Sequence, residues 1–190
     1  MDISLYKEKN CLSLKEIKSK KELDDFKEEV DGFLIDSDEK EVRKITESLK
    51  NKKLKKLIIV NARDDNFNRR MIETCQINAL VSLELNKEKD TLKQRSSGFN
   101  HVIAKEASKK GVSVIINFSK LERLDKREKA RALAKIIQNI NICKKNKCNI
   151  KIASFAKNKS EIKNEIQLKA FLFSLGASSQ QVAKATDFNY

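Results

Sequence analysis

Two adjacent aspartates and a histidine are the residues of this sequence best suited to catalysis. Asp64 and Asp65 follow the apolar run Leu57–Ala62, and parallel α/β folds place their active sites at the carboxyl ends of strands. Together with His101 they could form a metal-dependent phosphoesterase site, because carboxylates and imidazoles bind catalytic metals. An aspartate before a helix is also a common N-cap, and Asp65 or Asn66 precedes a helical stretch. We therefore favour capping over catalysis.

Other catalytic and metal-binding motifs find little support. The sequence has one histidine and four glycines, and it contains neither a glycine-rich nucleotide-binding loop nor a nucleophile elbow. A structural zinc site would need paired ligands, yet no Cys-x-x-Cys motif occurs among the cysteines, which are Cys11, Cys75, Cys143 and Cys148. Nucleotide binding, serine-hydrolase chemistry and structural zinc are therefore not expected.

Positive charge is the strongest functional signal. Lys and Arg number 41 against 27 Asp and Glu, which gives a formal net charge of +14. Such an excess repels itself unless a polyanion neutralises it, so nucleic acid or an anionic membrane is the expected partner. No apolar stretch approaches the roughly 18–20 residues that span a bilayer, and the stretch from Met1 lacks a signal-peptide apolar region. We expect a cytoplasmic nucleic-acid-binding protein.

The kind of nucleic acid follows from the basic clusters and the scarcity of aromatic residues. Lysines bind phosphates without reading sequence, and an aromatic content of 6% argues against a surface that stacks single-stranded bases. Structured RNA, held through its backbone and shape, fits best. The clusters are Lys18, Lys20 and Lys21; Lys50, Lys52, Lys53, Lys55 and Lys56; and Lys144, Lys145, Lys147, Lys157, Lys159 and Lys163.

Four arginines surround two successive strand-to-helix regions: Arg63, Arg69, Arg70 and Arg95. A guanidinium group can bind phosphate oxygens through two hydrogen bonds at once. If the sheet is parallel, Arg63 and Arg95 lie together on its C-terminal face, where the strands end. Ion pairing on helix surfaces is the alternative, and the sequence favours neither.

Short apolar runs alternate with longer stretches of helical period. Several runs are apolar at consecutive residues, as in strands buried on both faces. This alternation predicts right-handed crossovers and a parallel sheet within one domain, and it leaves a doubly wound sheet and an incomplete barrel both possible. The predicted strands are Asp2–Tyr6, Gly32–Ile35, Leu57–Ala62, Ala79–Glu84, Val112–Phe118 and Asn149–Phe155.

Capping signals predict where the helices of the first half begin. Ser13 with Glu16 has the spacing of a capping box before a helix over Lys15–Val30. Asp36 or Ser37 is the predicted N-cap of the next helix.

In the second half, Asn100 is the predicted N-cap of a helix that ends at a left-handed Gly111. Ser178 with Gln181 opens a final short helix. A helix from Asp125 to about Cys143 is predicted to bury one apolar face, formed by Ala130, Leu133, Ile137 and Ile140.

The order of these segments resembles the family of ribonuclease P protein component 3, the thirty-kilodalton subunit family of archaeal ribonuclease P. The central block of that family is similar to three consecutive segments here. They are Leu57–Asp65, a helix that Asn68-Arg69 opens, and Ala79–Leu83 as the next strand. The most specific match is Ser97–Ala107 followed by Gly111–Val114. It resembles the family's Ser-Gly-x-Asn helix and the buried strand after it.

The resemblance extends over roughly Gly32–Ala185. Ile152–Ala156 is similar to the family's strand ending in Ser-x-Ala, and Leu172–Gly176 to the end of its terminal helix. The family usually has an arginine and a proline after that strand, whereas this sequence has 157-Lys-Asn-Lys-Ser-160 and no proline.

The resemblance implies a barrel-like parallel sheet of about seven strands surrounded by helices. It would be an incomplete TIM-type barrel, related to the PHP phosphoesterases but without their metal ligands. It also implies that the catalyst is RNA, that magnesium binds the RNA, and that this chain binds no cofactor and supplies no catalytic residue. The expected role is a subunit of this endonuclease that joins protein component 2 in removing the 5′ leader of precursor tRNA. A heterotetramer is one assembly that the resemblance allows.

The predicted RNA-binding residues combine this resemblance with the charge pattern. Ser97 and Asn100 are included because they shape the loop before their helix. The full set is Arg63, Arg69, Arg70, Arg95, Ser97, Asn100, Lys105, Lys157 and Lys159.

Two alternatives remain open at the sequence level. A free-standing phosphoesterase would use Asp64, Asp65 and His101, and should hydrolyse a phosphoester when manganese or zinc is added. An RNA-binding protein of another ribonucleoprotein would share the charge pattern and differ in its partner.

Overall fold

Seven parallel strands form a single sheet in which every strand pairs with the next one along the chain. The computed structural model describes residues 2–52, 55–90 and 95–188, so Lys53 of the predicted lysine clusters lies outside the described residues. The strands are β1 (Asp2–Ser4), β2 (Cys11–Ile17), β3 (Gly32–Ile35), β4 (Leu57–Asn61), β5 (Ala79–Val81), β6 (Ser113–Asn117) and β7 (Ile150–Ala153).

The sheet curves until its first and last strands meet, which makes a nearly closed barrel. Ser4 forms a parallel bridge with Ala156, and the backbone N–H of Leu5 donates to the Ala156 carbonyl at 2.7 Å. The C-terminal segment also contacts β7, since the N–H of Ile152 donates to the carbonyl of Ala185 at 2.9 Å. The barrel-like parallel sheet that the family resemblance implied is therefore confirmed.

Helices follow most strands and cover the outside of the barrel, as right-handed crossovers require. Two short 3-10 helices cover Leu83–Leu85 and Lys159–Glu161. The α-helices are α1 (Lys20–Asp25), α2 (Glu39–Asn51), α3 (Asp65–Thr74), α4 (His101–Lys110), α5 (Phe118–Glu122), α6 (Lys126–Asn146), α7 (Glu165–Ser174) and α8 (Ser179–Ala183). No helix in the part of the chain that the structure describes is long and apolar enough to cross a membrane.

Side chains alternate between two hydrophobic cores, as the period of a strand requires. One core fills the barrel and includes Leu34, Ile59, Ile115 and Phe155. The other lies between the sheet and the helices. Because both faces of the strands are buried, they read as continuous apolar runs in the sequence.

The predicted helix over Lys15–Val30 is wrong in its first part. Residues Cys11–Ile17 form β2, which pairs with β3 from Leu14 to Ile17. Leu14 belongs to the core inside the barrel and Ile17 to the core outside it. Two residues three positions apart would share a face in a helix, whereas in a strand they point to opposite faces.

Several predicted boundaries shift by one or two residues. Asp38 caps α2 in place of Asp36 or Ser37, and Asp64 caps α3 in place of Asp65 or Asn66. The fifth strand ends at Val81, before the predicted Glu84, because Ser82 adopts a left-handed backbone conformation with φ of 66°. The predictions of Asn100 as an N-cap and of a left-handed Gly111 are confirmed.

The predicted apolar face of α6 is mostly wrong. Ile140 is buried, but Ile137 is 42% exposed, and the buried face includes Lys135 and Asn139. Both polar side chains are satisfied inside the fold, since Lys135 donates to the Asn86 carbonyl and Asn139 accepts from the Ser97 hydroxyl. The buried apolar residues include Ala132, Ile136, Ile140 and Cys143, so the face is turned by about one residue from the predicted one.

Candidate nucleic-acid interface

The carboxyl ends of the strands carry a polar network at one mouth of the barrel. The Asn61 side-chain amide donates to the Asp36 carboxylate at 3.2 Å, and Lys120 Nζ lies 3.5 Å from the Asn61 amide oxygen. An Arg63 guanidinium nitrogen lies 4.0 Å from the same Asp36 carboxylate. Two cations at this mouth, Lys120 and Arg63, thus already have polar or acidic partners within the protein.

Glu84 is the buried acid of this mouth. Its side chain is 3% exposed and accepts a hydrogen bond from the backbone N–H of Asn117 at 3.1 Å. Burial raises the pKa of Glu84 to about 7, although the Asn117 bond and nearby Lys120 oppose the shift. A desolvated carboxyl group beside one cation holds its proton up to neutral pH.

The structure does not bring together the residues of a phosphoesterase site. Asp64 accepts from the backbone N–H of Phe67 as a helix N-cap, and Asp65 accepts from the Asn100 side chain at 2.7 Å. His101 is exposed, and its ring Nδ1 lies 3.1 Å from Asn146 Nδ2. Within residues 2–52, 55–90 and 95–188, no group of three or more His, Cys, Asp or Glu side chains could hold a metal ion.

The loop before α4 is fixed by a buried asparagine. Asn68 accepts from the Arg63 N–H, and its amide group donates to the carbonyls of Arg63 and Gly98 at 2.8 and 2.7 Å. Gly98 has φ of +71°, and a Cβ there would lie 2.2 Å from the Arg63 carbonyl oxygen. A side chain does not fit at this close approach of two loops.

Ser97 and Asn100 belong to this scaffold. Ser97 is 1% exposed, and its hydroxyl donates to Asn139 at 2.8 Å. Its side chain is used inside the fold, which supports the predicted role of Ser97 in shaping the loop before α4. Asn100 accepts from the N–H groups of Val102 and Ile103, which supports its predicted role in shaping the loop.

Each of the four predicted arginines lies beside a carboxylate. Arg69 pairs with Glu73 at 2.7 Å on α3, and Arg70 pairs with Glu39 of α2 at 2.6 Å. The bond to Glu73 raises the pKa of Arg69 further above its ordinary value. Arg95 lies 3.2 Å from Asp90. The ion-pairing alternative therefore describes these side chains well, and Arg69 and Arg70 lie on α3, on the outside of the barrel.

The predicted lysines are exposed. Lys157 and Lys159 follow β7 at the carboxyl end of the barrel, where the Lys157 N–H donates to Glu161 at 2.9 Å. Arg123 also pairs with Glu161. Lys105 lies on the outer face of α4. Lys157 and Lys159 therefore lie at the same end of the barrel as Arg63, whereas Lys105 lies on its outside.

The sequence interpretation missed Glu84, Asn61, Asn117 and Lys120 as members of the barrel mouth. Glu84 could have been found, because an acid that ends an apolar run is unusual for a buried strand. Lys120 could not, since its position depends on the short α5 helix directly after β6.

The fold and this mouth together define the class of protein: a basic, nearly closed α/β barrel whose strand ends carry hydrogen-bonded polar side chains. A family model described as RNase P subunit p30 matches residues 33–189, and the chain belongs to that family.

Two curated relatives are named ribonuclease P protein component 3. The protein from Methanocaldococcus jannaschii is 34% identical over 109 residues, which cover 57% of this chain and 44% of the relative. The protein from Methanococcus vannielii is 26% identical over 142 residues, which cover 75% of this chain and 58% of the relative. The chain thus spans about half the length of these relatives.

Solved structures with the same fold include two different kinds of protein. A chain of a cryo-EM structure of archaeal ribonuclease P with mature tRNA matches with a TM-score of 0.69 at 23% identity, covering 91% of this chain and 78% of that chain. An amidohydrolase matches with a TM-score of 0.57 at 12% identity, covering 83% of this chain and 40% of the enzyme. At these identities the likeness shows a shared fold.

Proposed function

We propose that this chain is a protein subunit of ribonuclease P that binds the catalytic RNA and supports removal of the 5′ leader from precursor tRNA. The observation that carries the proposal is the family match over residues 33–189. The +14 charge supports it, because a polyanionic partner would relieve the self-repulsion.

The chemistry of cleavage is assigned to the RNA, and magnesium is expected to bind there. Asp64, Asp65 and His101, the residues of the rival phosphoesterase, each have a capping or hydrogen-bonding partner. This chain would then bind and stabilise RNA, and it would contribute no catalytic residue.

The expected partners are ribonuclease P RNA and protein component 2, with precursor tRNA contacted indirectly. A heterotetramer that includes protein component 2 is the proposed assembly, and the cytoplasm is the proposed location. Exposed apolar side chains such as Phe173, which is 61% exposed on α7, and Val102, which is 62% exposed on α4, suit contact with a protein.

Among the predicted RNA contacts, Arg63, Lys157 and Lys159 share the carboxyl end of the barrel and form the first group that we propose. Arg95 and Lys105 form a second group around α4. Arg69 and Arg70 remain proposed contacts that would have to exchange a carboxylate for a phosphate. Such an exchange costs little, because exposed ion pairs contribute only about 0–1 kcal/mol.

The test is reconstitution of precursor-tRNA cleavage with ribonuclease P RNA and protein component 2 from the same source, with and without this chain. We expect a large gain in cleavage rate at moderate magnesium, because protein cations reduce the repulsion between RNA phosphates. Without the RNA we expect no cleavage.

A lack of any gain would contradict the proposed function. Turnover of a generic phosphoester by the chain alone with manganese or zinc would favour the rival enzyme. If the chain bound RNA tightly but left cleavage unchanged, it would belong to another ribonucleoprotein.

A further inference from the structure

Two clefts open at the opposite end of the barrel, where the strands begin. The first, of about 510 Å³, is lined by Lys50 at the end of α2, Lys56 before β4 and Lys110 at the end of α4. The second, of about 440 Å³, is lined by Lys144 and Lys147 at the end of α6 and by Lys184 after α8. We call these six residues the lysine rim.

The two clefts adjoin each other. Lys110 donates to the carbonyl of Glu73, which ties the end of α4 to the end of α3. On the other side of α4, the Ser108 hydroxyl donates to the carbonyl of Lys147 at 3.0 Å. The lysine rim is therefore a continuous surface assembled from the ends of neighbouring helices.

The charge of this surface is largely unbalanced. Lys50, Lys144, Lys147 and Lys184 are exposed and take part in no ion pair within residues 2–52, 55–90 and 95–188. Glu73 is the acid that lines the clefts, and it already pairs with Arg69. Several cations thus share a surface with little internal compensation.

Helix ends explain part of this arrangement. Lysines are favoured at helix C-termini, because the partial charge there is about −0.5, and Lys110 donates to a helix carbonyl. That explanation does not extend to Lys184, which follows a helix of five residues. The partial charges of the helix ends are also too small to neutralise the full positive charges of the lysines. A polyanion would compensate the remainder.

We propose that the lysine rim binds the sugar–phosphate backbone of double-helical RNA. Lysine ammonium groups bind phosphates as point charges without reading sequence. The clefts are lined by aliphatic, amide and hydroxyl side chains such as Gln76, Asn149 and Gln180, with no aromatic residue among the described lining. Amides can hydrogen-bond ribose hydroxyls, whereas stacking on single-stranded bases needs aromatic rings.

This inference rests on the proposed function, because it assigns the RNA of that function to a particular face. It places the main contact at the amino ends of the strands, away from the mouth that holds Asp36 and Glu84. The subunit would hold a duplex segment of the RNA against one end of the barrel and leave the other end for further contacts.

The test compares the parent chain with the triple variant Lys50→Gln, Lys144→Gln and Lys184→Gln. Binding to a labelled RNA duplex and to ribonuclease P RNA is measured over a range of salt concentrations. We expect the triple variant to bind on the order of 10- to 100-fold more weakly at about 0.1 M salt, with a salt slope lower by about 2, because each phosphate contact contributes about 0.7 to 0.9 to that slope.

The matched control removes the same charge elsewhere, through Lys7→Gln, Lys27→Gln and Lys126→Gln, which are exposed residues that line neither cleft. We expect a loss of less than about threefold for the control, since contacts made only at long range are screened by salt. Thermal melts should show that both variants fold like the parent.

Equal losses in the two variants, or no loss in either, would overturn the proposal that RNA binds at the rim. If the parent chain still stimulates precursor-tRNA cleavage in that case, the proposed function stands. A parent chain that binds neither RNA probe would contradict both proposals, and binding only to vesicles of anionic lipid would point to a membrane surface instead.

Discussion

The two ends of the barrel carry their positive charge in different ways. At the carboxyl ends of the strands, Arg63 lies beside Asp36, and Lys120 contacts Asn61. At the amino ends, Lys50, Lys144 and Lys184 have no ion-pair partner among the described residues. The network of Asp36, Asn61, Arg63 and Lys120 is internally compensated, whereas the lysine rim is largely an exposed cationic surface.

This difference shows that a net charge of +14 does not by itself locate a binding surface. Residues that suit phosphate recognition by type, such as arginine, are here used largely within the protein. Lysines next to helix ends keep their charge available. A nucleic-acid interface is therefore better sought where cations lack acidic partners than where cations are merely frequent.

The largest expected effect concerns the close packing of the carboxyl end. Gly98→Ala would place a Cβ 2.2 Å from the Arg63 carbonyl oxygen at a φ of +71°, so we expect a loss of about 4 kcal/mol in unfolding free energy. Gly111→Ala, at the amino end, has φ of +70° but no atom within 4 Å. Its cost should be about 1 kcal/mol, from the backbone alone. Urea unfolding measures both.

Equal losses of unfolding free energy in these two variants would contradict the proposed difference between the two ends of the barrel. The Gly98 loop would then be able to move away from Arg63 and Asn68, and the carboxyl end would be no more tightly built than the amino end.

Ionisation of Glu84 should make the free energy of unfolding depend on pH, by nearly as much as the loss expected for Gly98→Ala. Its pKa rises from 4.5 to about 7 in the folded protein, so the folded state binds an extra proton between those values. The stability due to this proton is present below pH 4.5 and is lost as pH rises through 7, by up to about 3 kcal/mol. Glu84→Gln should remove this dependence, because an amide does not titrate.

The measurement is urea unfolding of the parent and Glu84→Gln at pH 5 and pH 8. The difference in free energy between the two proteins should change with pH, and the variant should gain relative to the parent at pH 8. Glu165, whose pKa is lowered to about 2 by Lys169 and other neighbours, stays ionised over this range and cannot produce the change. A difference that is the same at both pH values would contradict the assignment.

The smallest expected effect compares single cations of the two ends in RNA binding. Lys184→Gln should weaken binding to an RNA duplex about threefold to fourfold at about 0.1 M salt, because one unbalanced phosphate contact is lost. Arg69→Gln should change affinity by less than about twofold, because Arg69 is already paired with Glu73 at 2.7 Å.

Fluorescence anisotropy titrations of both single variants would settle the order of the two effects. A larger loss of RNA affinity for Arg69→Gln than for Lys184→Gln would contradict this order. It would indicate that the arginines predicted from the sequence make the main RNA contact.

Local signals made much of the fold predictable. The consecutive apolar residues of Leu57–Asn61 and Ser113–Asn117 indicate strands buried on both faces, and those strands are present. Asn100 and Gly111 fixed the two ends of α4, because a cap depends on neighbouring residues alone. The family resemblance then favoured the barrel over the open sheet, which periodicity could not do.

The errors arose where tertiary contacts override local pattern. The strand Cys11–Ile17 alternates between two cores that exist only once the barrel closes. In α6, Lys135 and Asn139 are buried because their partners Asn86 and Ser97 come from a distant loop. The lysine rim had a sequence signal, since lysines recur just before β4, β6 and β7. Its assembly into one surface depends on the barrel.

The most direct test of the RNA interface is lysine acetylation of the whole chain, read by mass spectrometry with and without ribonuclease P RNA. It reports on both ends of the barrel in one experiment. We predict strong RNA-dependent protection of Lys50, Lys144 and Lys184, weaker protection of Lys157 and Lys159, and none at Lys7 or Lys27. Protection confined to the carboxyl end, with the lysine rim as reactive as in the free protein, would contradict the account.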